Sequence, residues 1–142
     1  MQTILFLCDG NTCRSPMAEY LCNHMAAGLP LRAASAGLFT MDGLPMSAGA
    51  LKALQGAGID GSPHRSRALL PDMLGADWIF CMTEAQLQSL EARYPCPQAQ
   101  RLAAYDISDP YGGSLSLYQN TLNQIRRALQ ARLAEISAAA RE

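Results

Sequence analysis

No stretch of this sequence is apolar for long enough to span a bilayer; none approaches the roughly 18 residues that a membrane helix needs. A basic excess is missing too. The 11 Lys+Arg are matched by 12 Asp+Glu, which leaves no surplus to neutralise phosphates and speaks against a nucleic-acid binder. Met1-Gln2-Thr3-Ile4 lacks the basic stretch and small-residue cleavage site of a signal peptide. There is no Cys-x-x-Cys pair, and neither His24 nor His64 stands at metal-ligand spacing from a cysteine, which argues against structural zinc. The expectation is a soluble, cytoplasmic globule without a metal, membrane or nucleic-acid partner.

What is present fits one domain over residues 1–142. A chain of this length buries about 70% of its unfolded surface, so its core needs no staples. The apolar fraction of 49% and net charge of −1 are those of a folded protein. The five cysteines, at 8, 13, 22, 81 and 96, form an odd set with no secretion signal, which points to reduced thiols, at least one of them chemical.

Short apolar runs alternate with helical periodicity. Thr3 to Leu7 reads as a buried strand, and a helix follows, capped by Ser15 with Pro16 in its first position. Leu31 to Ala36 is a second strand, and residues 46–57 a second helix. Residues 61–67 read as loop and those near 69–74 as a short helical piece. Trp78 to Met82 is the third strand, 84–93 a helix, and Arg101 to Ala103 a fourth strand. Tyr118, Leu122, Ile125, Leu129, Leu133 and Ile136 mark a last helix from about Ser114 to Ala138, with a tail expected to fray. This α/β alternation implies a parallel sheet with helices on both faces, whose ligands bind beyond the carboxyl ends of the strands.

The first such place reads Cys8-Asp9-Gly10-Asn11-Thr12-Cys13-Arg14-Ser15-Pro16. Gly10 and Asn11 tolerate the left-handed backbone that turns successive amides inward. With a helix N-terminus and the Arg14 fork behind it, this loop is a cradle for a tetrahedral oxyanion. The same field is expected to lower the Cys8 thiol pKa and make it nucleophilic. A core thiol beside an ordinary turn is the plain alternative, but it leaves the coincidence of thiol, loop, guanidinium and helix start unexplained.

Leu7-Cys8-x-Gly10-Asn11-x-Cys13-Arg14-Ser15-Pro16 resembles the signature of the low-molecular-weight protein tyrosine phosphatases. Ser35-Ala36-Gly37, His64-x-x-Arg67, Cys81-Met82 and Asp109-Pro110-Tyr111-Gly112 resemble further segments of that family, so the resemblance spans the chain. It implies a four-stranded parallel sheet flanked by helices in a flavodoxin-like arrangement, with no metal or cofactor and a phosphorylated protein as substrate. It also implies residue roles. Cys8 is the nucleophile and forms a phosphocysteine, while Arg14 and the amides of Asp9, Gly10, Asn11, Thr12, Cys13 and Arg14 hold the phosphoryl oxygens. Ser15 donates to the thiolate, Asn11 holds the loop through Ser35 and His64, and Asp109 is the general acid and then base. Without the resemblance Asp109 is only a turn aspartate before proline.

Thr12, where tyrosine-specific members usually carry isoleucine, and the sequences around Thr12 and Asp109 are similar to those of the bacterial protein-arginine phosphatases. Phosphoarginine is therefore the expected substrate, with phosphotyrosine the alternative. Thr12, Phe39 and Tyr111 are candidate pocket walls. Asp9 departs from both branches and either faces the mouth or points into solvent. Cys13 either closes a redox-sensitive disulfide with Cys8 or packs under the loop. Two other functions compete: a thiol-dependent arsenate reductase, which needs two further cysteines on a mobile segment, and a silent phosphoresidue-binding module.

Overall fold

The computed structural model describes residues 1–140. In chain order it contains β1 (Gln2–Cys8), α1 (Arg14–Met25), β2 (Leu31–Gly37) and α2 (Ala48–Gly56). A 3-10 turn (Pro71–Gly75) leads to β3 (Trp78–Cys81), α3 (Glu84–Arg93), β4 (Ala99–Arg101) and α4 (Leu115–Ala139). The four strands form one parallel sheet in the order β2-β1-β3-β4. This is the expected α/β architecture. No helix among the described residues is long and apolar enough to cross a membrane.

β1 is one of two inner strands, paired along its length with β2, from Gln2↔Leu31 to Cys8↔Gly37, and with β3 from Ile4↔Trp78 to Leu7↔Cys81. Helices cover both of its faces, so Ile4 to Cys8 are all buried and the run is continuously apolar instead of alternating. The pleat still divides it. Ile4, Phe6 and Cys8 join α1, α2 and α4 in one core, where Phe6 stacks on Phe80 at 6.0 Å between ring centroids. Leu5 and Leu7 join α3 and the 3-10 turn in the other. Gly49 lets α2 lie against α4: a Cβ there would meet the Tyr118 ring at 2.3 Å.

Element types agree with the sequence reading, and the differences lie at their ends. α1 starts at Arg14 with Cys13 at its cap, so Ser15 is not the cap but the second helical residue. α2 starts after Ser47, leaving Met46 outside it. β3 stops at Cys81 because the Met82 and Thr83 amides donate to Gln86 Oε1, the side chain of a capping box that opens α3. β4 forms two residues earlier than expected. Its far end is closed by Arg132, whose guanidinium donates to the carbonyls of Arg101 and Leu102. α4 continues to Ala139, so the tail expected to fray is helical.

Candidate active site

β1 delivers Cys8 to the carboxyl edge of the sheet, and six residues later α1 begins. Of the two residues expected to be left-handed only Asn11 is, at φ 54°; Gly10 is not. The loop's shape comes mainly from what surrounds it. Its carbonyls point outward: Cys8 O accepts from the Leu38 amide, Asp9 O from Phe39, Thr12 O from Ser47, and Asn11 O from His64 Nε2 at 2.8 Å. A carbonyl only accepts, so His64 carries its proton on Nε2. In a planar trans peptide the next N–H points opposite to each carbonyl. The amides of residues 9, 10, 12 and 13 therefore face the concave side, and those of Asn11 and Ser15 reach the Cys8 thiol. Gly37 makes this docking possible, since a Cβ there would lie 2.8 Å from Asp9 O and 3.1 Å from Asn11 Cβ.

Asn11 is the hub. Its Oδ1 accepts from the Arg67 amide at 2.9 Å, which fixes the orientation of the side-chain amide. Nδ2 donates to Ser15 Oγ at 2.8 Å and to Ser35 Oγ at 2.9 Å. Ser35 Oγ donates in turn to Glu19 Oε1 at 2.6 Å. Ser15 Oγ, already accepting from Asn11, has its proton free for Cys8 Sγ, 2.9 Å away. Two donor chains thus diverge from Asn11 Nδ2, one through Ser35 to the Glu19 carboxylate and one through Ser15 to the sulfur. Ser15, Ser35, His64 and Asn11 come together as expected. Glu19, Ser47 and Tyr118 were missed, and Arg67 was read only as part of the His64-x-x-Arg67 segment without a role; the signal for Glu19 was its place one turn after Ser15 on a helix face that is otherwise buried.

Cys8 is 3% exposed. That burial pushes its thiol up from the ordinary value, against the Ser15 hydroxyl, the amides of Ser15 and Asn11 and the Arg14 guanidinium, which pull it down. The expected lowering is therefore opposed and outweighed by desolvation that spacing alone does not reveal. Cys22 and Cys81 have no such donors and are pushed up to about 12, as inert core thiols. Cys8 and Cys13 are both free. Cys13 Sγ lies 3.2 Å from Ser47 Oγ and 3.6 Å from the Tyr118 hydroxyl, which is the packed arrangement under the loop.

Over the loop opens a cleft of about 200 Å³ lined by Cys8, Asp9, Gly10, Thr12, Cys13, Arg14, Asp109 and Tyr111. Larger hollows lie along α2 and between α4 and the segment after β4, but neither contains a nucleophilic side chain beside an oxyanion cradle. Arg14, 6% exposed, is anchored by Nη1 to Ile107 O at 3.2 Å. Its Nη2 is 3.8 Å from Asp9 Oδ2 and 3.7 Å from Asp109 Oδ2. Asp9 thus faces the mouth. Asp109 also accepts from the Tyr111 amide at 3.1 Å, closing the turn that brings Tyr111 over the cleft. Phe39 is not a wall of the cleft. Its amide holds Asp9 O, but its ring, 63% exposed, lies under the Arg93 guanidinium at 5.8 Å.

The model of the family described as "Low molecular weight phosphotyrosine protein phosphatase" matches residues 3–142. The chain is 33% identical to the probable low molecular weight protein-tyrosine-phosphatase EpsP of Ralstonia nicotianae, over 97% of this chain and 98% of that one. It is also 33% identical to the protein-arginine-phosphatase of Geobacillus stearothermophilus, over 93% of each. The crystal structure of the low molecular weight protein tyrosine phosphatase of T. tengcongensis superposes with a TM-score of 0.89 at 34% identity, covering 95% of this chain and 99% of that one. A thiol at the base of an inward-facing amide loop, the same four-stranded sheet and matches along almost the whole sequence all lead to one assignment: the chain belongs to the low molecular weight protein tyrosine phosphatase family and is a phosphatase.

Proposed function

We propose that this enzyme hydrolyses phosphorylated protein side chains through a phosphocysteine and prefers phosphoarginine to phosphotyrosine. The observation that carries the chemistry is the Cys8 sulfur, 2.9 Å from the Ser15 hydroxyl at the base of a loop whose amides face inward. Cys8 attacks phosphorus as the thiolate while Arg14 and the loop amides hold the non-bridging oxygens, where charge accumulates. Asp109 gives its proton to the departing nitrogen or oxygen. It then takes one from the water that attacks the phosphocysteine, and the Ser15 hydroxyl stabilises the thiolate that leaves. Inorganic phosphate is the second product.

The substrate preference rests on Thr12. Its carbonyl is held by the Ser47 amide and its side chain borders the cleft. Its hydroxyl can accept from a guanidinium N–H, whereas isoleucine there would offer only bulk for an aromatic ring. A desolvated donor left without its acceptor costs about 1–3 kcal/mol, enough for roughly 5- to 150-fold discrimination. The two relatives at 33% identity, one a tyrosine and one an arginine phosphatase, do not separate the alternatives. The test compares kcat/KM on phosphoarginine and phosphotyrosine peptides in the wild type and in Thr12→Ile. A wild type that favours phosphotyrosine, or a ratio untouched by the substitution, would return the reading to a phosphotyrosine phosphatase.

Five free thiols suit the reducing cytoplasm, which the proposal takes as the enzyme's compartment. Oxidative closure of Cys8 onto Cys13 belongs to the same reading, and requires Cys13 to leave Ser47 and Tyr118. Arsenate reduction is disfavoured because Cys81 is buried in β3 and Cys96 in the core beside β4, so neither lies on a mobile relay.

A further inference from the structure

We infer that Asp9 is a specificity-determining residue: its carboxylate, set beside Arg14, favours phosphoryl groups that carry a positive charge next to phosphorus and weakens the hold on those that do not. The inference rests on the reading of this cleft as the phosphoryl-transfer site.

Among the residues that line the cleft, two carboxylates, Asp9 and Asp109, face one guanidinium, Arg14. Both lie against the same nitrogen, at 3.8 and 3.7 Å, beyond the 2.7–3.2 Å of a hydrogen bond to it. They therefore act on Arg14 through their field and leave the N–H groups of Nη2 free for an oxyanion. Neither carboxylate is redundant by position. Asp109 stands on the turn before α4, where the proposed mechanism gives it a proton to carry. Asp9 is joined directly to the nucleophile. Its backbone is locked by the Phe39 amide and by the close approach of Gly37, while its side chain, 56% exposed, remains at the rim.

A phosphoryl dianion seated on Arg14 is attracted by one charge and repelled by two. The repulsion from Asp109 ends when that group holds the proton destined for the leaving atom. The repulsion from Asp9 persists through the whole reaction, because Asp9 has no proton to give in the mechanism. A phenolic or alcoholic phosphate has nothing to offset it. An N-phosphoguanidine does, since its guanidinium keeps a delocalised positive charge within a few ångströms of phosphorus, and that charge meets Asp9 across the narrow mouth. Thr12 and Asp9 would thus discriminate by different physics, Thr12 by hydrogen bonding and shape, Asp9 by charge.

The experiment uses the full chain with Asp9→Asn, which keeps the shape and removes the charge, and Asp9→Glu, which keeps the charge. Asp42→Asn, outside the cleft lining, controls for a general change of surface charge. The readouts are the inhibition constant of inorganic phosphate and kcat/KM on p-nitrophenyl phosphate, a phosphotyrosine peptide and a phosphoarginine peptide. Asp9→Asn is expected to tighten phosphate about tenfold and to raise kcat/KM on both aryl phosphates. Its kcat/KM on phosphoarginine falls, so the arginine-to-tyrosine ratio drops about 10- to 50-fold at low salt and less at high salt. Asp9→Glu should restore the wild-type order and Asp42→Asn should change nothing. An Asp9→Asn enzyme whose phosphate inhibition and substrate ratio stay within about twofold of wild type would overturn the inference, as would equal shifts on all substrates. A wild type that prefers phosphotyrosine would instead overturn the proposed substrate. Asp9 would then be judged on inorganic phosphate alone, with tightening supporting its repulsive role and an unchanged constant refuting it.

Discussion

At the floor of the cleft Asn11 and Ser15 are wholly buried, and each side-chain polar atom of Asn11 has a partner fixed by another element: Ser15 on α1, Ser35 on β2, Arg67 before β3. At the rim Asp109 and Tyr111 stand in solvent, on a turn held only by its own local bonds, the Tyr111 amide to Asp109 and the Gly113 amide to the Pro110 carbonyl. The floor is set before any substrate arrives, so the donors that stabilise a phosphoryl transition state need no reorganisation when it forms. In the proposed mechanism the rim carries the groups that meet the leaving atom. Substitutions at the floor should therefore cost activity and stability together, whereas substitutions at the rim should alter selectivity in a fold that is unchanged.

The largest effect expected at the floor is an exception on stability. Cys8→Ser should abolish turnover, because a hydroxyl at its ordinary pKa supplies no anion, yet a buried serine has the Ser15 hydroxyl as a partner and the chain should still fold. Activity assays beside a urea melt would show this. Turnover near wild type would remove Cys8 as the nucleophile.

Asn11 tests the rule itself. Asn11→Ala leaves the Arg67 amide without its acceptor and Ser15 and Ser35 without their donor, and each buried orphan costs about 1–3 kcal/mol. It also keeps a β-carbon at φ 54°, whereas Asn11→Gly loses the same bonds but relieves the backbone by about 1 kcal/mol. Both should lose activity by orders of magnitude, with Gly the more stable of the two in urea. An Asn11→Ala protein that melts with the wild type would break the contrast between floor and rim.

The same contrast explains what the sequence disclosed. β1, α1 and α4 were readable because their burial is periodic or continuous, and Cys8, Asn11, Arg14 and Ser15 because loop, helix start and reactive groups adjoin in the chain. β4 was displaced because Arg132, some thirty residues away, determines where its edge closes. Glu19, Ser47 and Tyr118 join the site only through tertiary packing, and Gly37 matters because of what its missing Cβ leaves room for. Phe39 was misjudged because two residues along a chain fix proximity but not direction; its ring turned to Arg93. The burial that pushes the Cys8 thiol up against its donors was not legible, because burial does not appear in spacing.

That balance of burial against donors yields a smaller, titratable effect. A hydrogen bond to the thiolate favours the charged form, so its loss must raise the pKa further. In Ser15→Ala the midpoint of Cys8 alkylation against pH should move up, and the rising limb of kcat/KM should move up with it. A midpoint that stays in place would mean that the Ser15 proton does not serve the sulfur.

The smallest expected effect separates two aromatic rings of the rim. Tyr111 lines the cleft and is 77% exposed, so it has surface left to bury against a leaving group. Covering about 40 Å² of that ring is worth about 1 kcal/mol, so Tyr111→Ala should raise KM on peptide substrates about fivefold while hardly touching stability. Phe39 is joined to the site only by its backbone: the amide that holds Asp9 O survives any side-chain substitution, and the ring belongs to Arg93. Phe39→Ala removes an exposed cation–π contact of about 0.5–1 kcal/mol. Arg93 would remain anchored to the Leu38 carbonyl at 2.6 Å and beside Tyr94 at 5.6 Å, so the loop that carries the amide should hold. The expected result is a slightly lower melting temperature with KM and kcat within about twofold of wild type. A KM rise in Phe39→Ala as large as that in Tyr111→Ala would mean that the ring swings from Arg93 onto the bound substrate. The rim would then have two walls where the free enzyme presents one.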